Sequence, residues 1–145
     1  MAIYDAGDKL FQPVFFGYNV YNSSAVNGWK LYRPGTVAKD TCSGWDGSNL
    51  RYTPNVAGYY HLFYNHRHGN GGHDAYRLEI KVVNGGGAHA VESTGDGTSG
   101  SLSCIAYFDG SSYYAEFKNY HNNDAHNCST DEREVNAGAY RLMGM

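Results

Sequence analysis

Five of the seven histidines in this chain fall in two short polar stretches, spaced as metal ligands are. His66 and His68 are two apart, so on a strand their side chains share one face, as a common ion requires. His73 and Asp74 follow across the loop RHGNGGHD, and a second stretch, HNNDAHNCSTDEREVN, brings His121, Asp124, His126 and Cys128. If both stretches close the same end of a β domain, three imidazoles drawn from His66, His68, His73, His121 and His126 make a zinc or nickel site. Loop histidines more often stay solvated or hydrogen-bond to a partner. That is the reading adopted, and no cofactor is expected.

The signatures of catalysis are missing. There is no Gly-x-Ser-x-Gly elbow, no Walker-type phosphate loop and no His-Glu-x-x-His pair. Carboxylates such as Asp5, Asp40, Asp46, Asp74, Asp96, Asp109 and Glu116 are scattered, with no spacing that pairs two of them for acid–base work. Gly85 to Gly87 read as a turn rather than a phosphate cradle. A protein that is not an enzyme is expected.

Aromatic and amide side chains offer another chemistry. Trp29, Trp45 and nearby tyrosines can stack on sugar rings, with Asn122, Asn123 and Asp124 supplying hydrogen bonds. Trp45, Asn122, Asn123 and Asp124 are the candidate glycan contacts, against the ordinary role of tryptophan as a core or interface anchor.

Strands must hold these groups. The 145 residues include 14 Tyr and 19 Gly but only 17% charged residues, a turn-rich β composition of single-domain length. No window has helical periodicity. Short runs recur between Gly, Asn, Asp and Ser clusters instead, giving nine or ten strands at about 13–21, 29–33, 50–53, 57–66, 75–83, 88–94, 101–108, 113–120 and 137–145. The segment 35–49 reads as turns, and Asp109 to Ser112 as a hairpin turn. A net charge of −3 argues against nucleic acid, which needs clustered Lys and Arg. No run of about 18 apolar residues is present to span a membrane, so no membrane partner is expected. The start, MAIYDAGDKLF, lacks a signal-peptide core, and Cys42, Cys104 and Cys128 make no disulfide framework. Synthesis in a cytoplasm is the expectation.

Alternation separates the faces. Tyr76, Leu78, Ile80 and Val82 oppose Arg77, Glu79 and Lys81, so that strand has one buried and one wet face. Other strands are apolar on both. Tyr60, Leu62 and Tyr64 oppose Tyr59, His61 and Phe63; Leu102, Cys104, Ala106 and Phe108 oppose Ile105 and Tyr107; Tyr140 and Leu142 oppose Ala139 and Arg141. A two-sheet sandwich covers only one face of each sheet, so these strands need a second cover, most simply another copy of the chain. Tyr59, His61, Phe63, Ile105, Tyr107, Tyr140 and Leu142 are the candidate interface.

The stretch RYTPNVAGYYHL carries a resemblance. An aromatic, then Thr-Pro, then small residues leading into Gly-Tyr-Tyr resembles the signature of the trimeric jelly roll of the complement globular head and tumour necrosis factor superfamily. It is most similar to the form found in bacteriophage virion proteins, with Tyr52, Thr53, Pro54, Val56, Ala57, Gly58, Tyr59 and Tyr60 in the matching positions. VFFGYNVYNSS resembles the opening strand of that fold, DGSSYYAEF its penultimate hairpin strand and GAYRLMGM its closing strand. The resemblance implies an all-β, ten-strand, two-sheet jelly-roll sandwich assembled as a homotrimer, with an N-terminal arm at 1–12 and the jelly-roll domain at 13–145. Within it Pro54 ends a short strand, and Gly58 turns the chain into the central strand with a neighbouring backbone close by.

It further implies a virion protein. The expected role is a capsid decoration or cement subunit on the capsid surface, made in the host cytoplasm. It would bind the major capsid protein lattice through an arm bearing Tyr4, Leu10, Phe11 and Val14. A fibre tip binding a bacterial surface glycan is the alternative. A fibre tip normally follows a long shaft, and only about twelve residues precede the first strand, which favours decoration. The long Asn- and His-rich segment before the last strand departs from the family pattern, in the region where the family's ligand specificity resides.

Overall fold

Period-two alternation builds two antiparallel sheets that face each other across one core. The computed structural model describes residues 14–19, 28–67, 76–85, 87–95, 99–121 and 135–142, and within them lie eleven strands and no helix. The first sheet runs β3 (Thr36–Asp40), β1 (Val14–Tyr18), β11 (Asn136–Arg141), β6 (Gly58–Arg67) and β9 (Ser99–Phe108), in that order. The second runs β4 (Trp45–Asp46), β5 (Arg51–Tyr52), β10 (Tyr114–His121), β7 (Tyr76–Asn84) and β8 (Gly87–Gly95), and β2 (Gly28–Leu31) adds to it by pairing with β10. From β5 onward the chain changes sheet at every connection but the one between β7 and β8. Strands adjacent in space are therefore far apart in sequence, as β1 and β11 are.

The inner faces follow the alternation. Phe15, Tyr60, Leu62, Tyr64, Leu102, Phe108, Ala137 and Ala139 of the first sheet meet Tyr52, Leu78, Ile80, Val82, Ala115 and Phe117 of the second. Phe15 is stacked on both Trp45 (centroids 4.9 Å apart) and Tyr52 (5.1 Å). Three buried phenols reach polar partners: Tyr60 donates to the Val56 carbonyl at 2.7 Å, Tyr64 to Asn119 Oδ1 at 3.4 Å, and Tyr52 meets Cys42 Sγ at 3.5 Å. Ring bodies pack apolar while these three tips find polar partners; the buried Tyr32 hydroxyl has none among the described residues.

The breakers stand at the corner before β6. Pro54, which has no N–H to donate, lies just past the end of β5. Gly58 opens β6 at φ 151°, a conformation that residues with a side chain rarely adopt. A Cβ there would lie 2.6 Å from Arg141 Nε. The close neighbour is thus a side chain and not the backbone expected from the sequence.

Two local readings change. The segment 35–49 contains β3 and β4; Thr36 to Lys39 are all exposed, so no buried face marks β3, which exists through backbone pairing with β1. The turn at 109–113 is not a hairpin, because β9 pairs with β6 while β10 pairs with β7. Asp109 accepts from the Ser112 hydroxyl and from the N–H groups of Ser111, Ser112 and Tyr113, which holds its carboxyl well below the usual carboxylate range. That chemistry specifies a tight reversal but not which sheet receives the chain. The hairpin is instead at Asn84–Gly87, between β7 and β8.

Burial raises the hydroxyls of Tyr32, Tyr52 and Tyr60 far above their ordinary value of 10.0. Folded values above the unfolded one mean that their contribution to stability is whole below pH 10 and is lost as pH rises through the folded range. Phenolate absorbance in an alkaline titration will show these three rings ionising only as the fold opens; ionisation of all 14 tyrosines near pH 10 with the circular dichroism intact contradicts this.

Candidate functional site

The outer face of the first sheet carries the aromatic side chains that the core does not use. Register sets them in rows: Val14, Tyr140, His61 and Ile105 across one line, Phe16, Gly138, Phe63 and Ser103 across the next, and Tyr59 beside Tyr107 toward the end. The His61 ring lies 5.0 Å from Tyr140, Tyr59 is edge-on to Tyr107 at 5.4 Å, and Phe16 is 6.3 Å from Phe63. Ile105 is 59% exposed, and Tyr59, Tyr107 and Tyr140 are also open to solvent. From β1 to β9 these rows contain no Asp, Glu, Lys or Arg. A polar row bounds them, where Asn65 Nδ2 donates to Asn136 Oδ1 (2.8 Å) and Ser101 Oγ to Asn65 Oδ1 (2.5 Å).

Gly138 is what lets this face lie flat. The Phe63 ring covers it so closely that a Cβ would collide with the ring and with the Phe15 carbonyl. Six of the seven residues expected at an interface lie in these rows. Leu142, half-buried, follows β11 with its N–H donating to the Tyr59 carbonyl at 2.8 Å. Phe16, half-buried, extends this apolar face and was missed; alternation in VFFGY, with Phe15 inward, was the available signal, and its cross-strand partner on β3 is Lys39.

The outer face of the second sheet is its chemical opposite. Lys118 Nζ lies 3.1 Å from Glu79 and 3.0 Å from Glu116. Partial burial alone would lower the Lys118 ammonium, but the two carboxylates outweigh it and its affinity for the proton is raised. Arg51 lies over the Tyr114 ring at 4.7 Å and within 3.8 Å of Asp46. At the far end Arg77 covers Tyr120, whose ring is 5.5 Å from that of an exposed Trp29.

Other expected site residues are dispersed. His66 is buried on the inner face of β6, its ring 5.8 Å from Tyr64, so it faces the core and not an end loop. His121 ends β10, and its side chain, like His68, His73 and His126, lies outside the described residues. Among the described residues no three His, Cys, Asp or Glu gather as metal ligands. Trp45 is half-buried and nearly parallel to Phe15, at 7°, so one face of its ring is taken up by the core. Asn122, Asn123 and Asp124 lie outside the described residues, as do Tyr4, Leu10 and Phe11 of the arm. Val14 belongs to the sheet and not the arm: its N–H donates to Thr41 Oγ1 at 2.8 Å and its carbonyl accepts from the Thr41 N–H. Where β8 and β9 diverge, a groove of about 190 Å³ is lined by Ile80, Val82, Val91, Cys104, Ala106 and Tyr107.

No family model matches the chain, and a search of curated proteins finds no match. Solved structures do match in fold. Murine APRIL is 10% identical over 90% of this chain and 99% of its own, with a TM-score of 0.64. The globular domain of zebrafish complement 1qA protein is 10% identical over 92% of this chain and 98% of its own, at 0.61. The chain shares their jelly-roll fold.

Gly138→Val will push Phe63 off its seat and strain the β1–β11 pairing. A loss of about 1–3 kcal/mol in urea unfolding is expected, as for other overpacked sites. An unchanged midpoint contradicts the close seating of Phe63.

Proposed function

We propose that this jelly roll is a non-enzymatic virion subunit that self-associates as a homotrimer and decorates a capsid surface. One observation carries the self-association: a contiguous, uncharged aromatic face on one sheet, opposite a face laced with ion pairs on the other. Scattered apolar side chains are normal on a surface, but a patch of this continuity is usually covered. Self-covering is the simplest cover, since each copy brings the same patch. The trimeric state and the virion setting follow from the resemblance of RYTPNVAGYYHL to the phage form of the fold. The decoration role assigns the arm, with Tyr4, Leu10 and Phe11, to contact with the major capsid protein lattice. The subunit then stabilises the capsid by bridging neighbours and not by any reaction.

Charge on the aromatic face will dissolve the assembly. Ile105→Lys combined with Tyr107→Lys alters exposed positions only, so the fold should persist by circular dichroism while light scattering reports monomer. Phe63→Ser will give monomer or aggregate. A normal trimer in both variants overturns the assembly. The decoration role is tested separately, on capsids of the parent virion stripped of this subunit. Rebinding that raises the capsid melting temperature supports it; density at fibre ends in a cryo-electron microscopy map, with none on the lattice, replaces it with glycan recognition by a fibre tip.

A further inference from the structure

The outer face of the second sheet holds a feature that neither assembly nor decoration uses. Trp29 is 42% exposed on β2, beside Tyr120 on β10. Arg77 on β7 lies over the other ring of this pair, 5.6 Å from the Tyr120 centroid. The three stand in one row across the sheet, since Tyr120 pairs with both Trp29 and Arg77. In the adjacent row Leu31, Lys118 and Glu79 are cross-strand partners. Trp29, Lys30, Leu31, Glu79 and Lys118 together line an open pocket of about 200 Å³.

We infer that this pocket binds one neutral hexopyranose unit of a glycan, with Trp29 as its stacking platform. An indole face offers the flat, electron-rich surface onto which the C–H face of a pyranose ring packs. Tyr120 braces the indole and Arg77 covers Tyr120, so little side-chain freedom remains to be lost on binding. The wall supplies fixed polar groups. Lys118 is held between Glu79 and Glu116, which positions the Glu79 carboxylate and the Lys118 ammonium to accept from and donate to neighbouring hydroxyls.

Charge and size select the ligand. The lining holds Lys30, Lys118 and Glu79, and Glu116, outside it, is a second carboxylate on Lys118, so no strong excess of either charge faces a ligand. A protein partner would need roughly 800 Å² of surface on this side. One aromatic step and a charged wall are too small for that, and match a single ring with hydroxyls at its edge. Trp29 was one of the two tryptophans able to stack on a sugar by sequence, but none of the contacts expected there, Trp45, Asn122, Asn123 and Asp124, lines this pocket, and the platform does not depend on self-association.

Tryptophan fluorescence of the full chain is a direct test, because the chain has only two tryptophans and Trp45 is stacked on Phe15. The probes are the methyl pyranosides of glucose, galactose, mannose and N-acetylglucosamine, titrated individually. At least one should shift the emission with saturation at millimolar concentration. Trp29→Ala should abolish binding of that sugar measured by ligand-observed NMR, Trp29→Phe should retain part of it, and Glu79→Gln should weaken it about tenfold. Circular dichroism and oligomeric mass should stay unchanged in all three. Absence of a shift with every sugar overturns the proposal, as does undiminished binding by Trp29→Ala. A change of oligomeric mass in Trp29→Ala overturns it too, by making this face a protein contact.

Discussion

The structure depends on the register of β6. The strand is flanked in its sheet by β11 and β9, and its ten residues alternate between a fully buried set and a half-exposed set. A strand has period two, so Tyr60, Leu62 and Tyr64 cannot point inward without Tyr59, His61 and Phe63 pointing outward. A one-residue slip would exchange the sets and put His61 among the core rings. The corner at Pro54 and Gly58 guards against that slip: Gly58 holds a conformation closed to most residues, with Arg141 against it. Register, core and outer face are thus settled at one point in the chain.

The two sheets consequently differ in kind. In the first, ring-on-ring contacts and uncharged central rows, with Lys39 and Arg67 only at the margins, leave an outer surface that gains from losing water. In the second, the charges of the outer face are engaged, Lys118 with two carboxylates, Arg51 with Asp46 and Tyr114, Arg77 with Tyr120, and Trp29 stands exposed beside them. An open pair such as Arg51 with Asp46 contributes little to stability. The consequence of these charges here is solvation, which keeps the second face free while the first is available for covering.

Much of this was legible in the residues because alternation reports burial directly. The inward and outward sets of β6, β7 and β9 could be read from the chain, and so could the corner before β6. Features that do not bury side chains left no such trace. β3 is held by backbone pairing with every side chain but Asp40 exposed, and the sheet-to-sheet course of the turn at Asp109 is set by distant strands. The two tryptophans show the same limit. Trp45 and Trp29 are alike as residues in turn-rich surroundings; only the approach of Phe15, on a strand some thirty positions earlier, makes one a core ring and leaves the other open. His66 was read as the last residue of its strand and offered to a metal with His68, whereas it is buried on the inward face of β6 against Tyr64.

The proposed sugar platform and the proposed assembly bear on each other through valency. A shallow site with one aromatic platform and a handful of polar atoms binds a single hexose weakly. Weak binding of this sort becomes effective when several sites engage one polymer, because the second contact is made at a local concentration set by the distance between sites. A homotrimer closed through the first sheet would present three such platforms on its outside, all in fixed relation. Loss of self-association would therefore leave binding of a single hexose intact while sharply reducing retention on a polysaccharide. Loss of Trp29 would abolish both without altering the assembly.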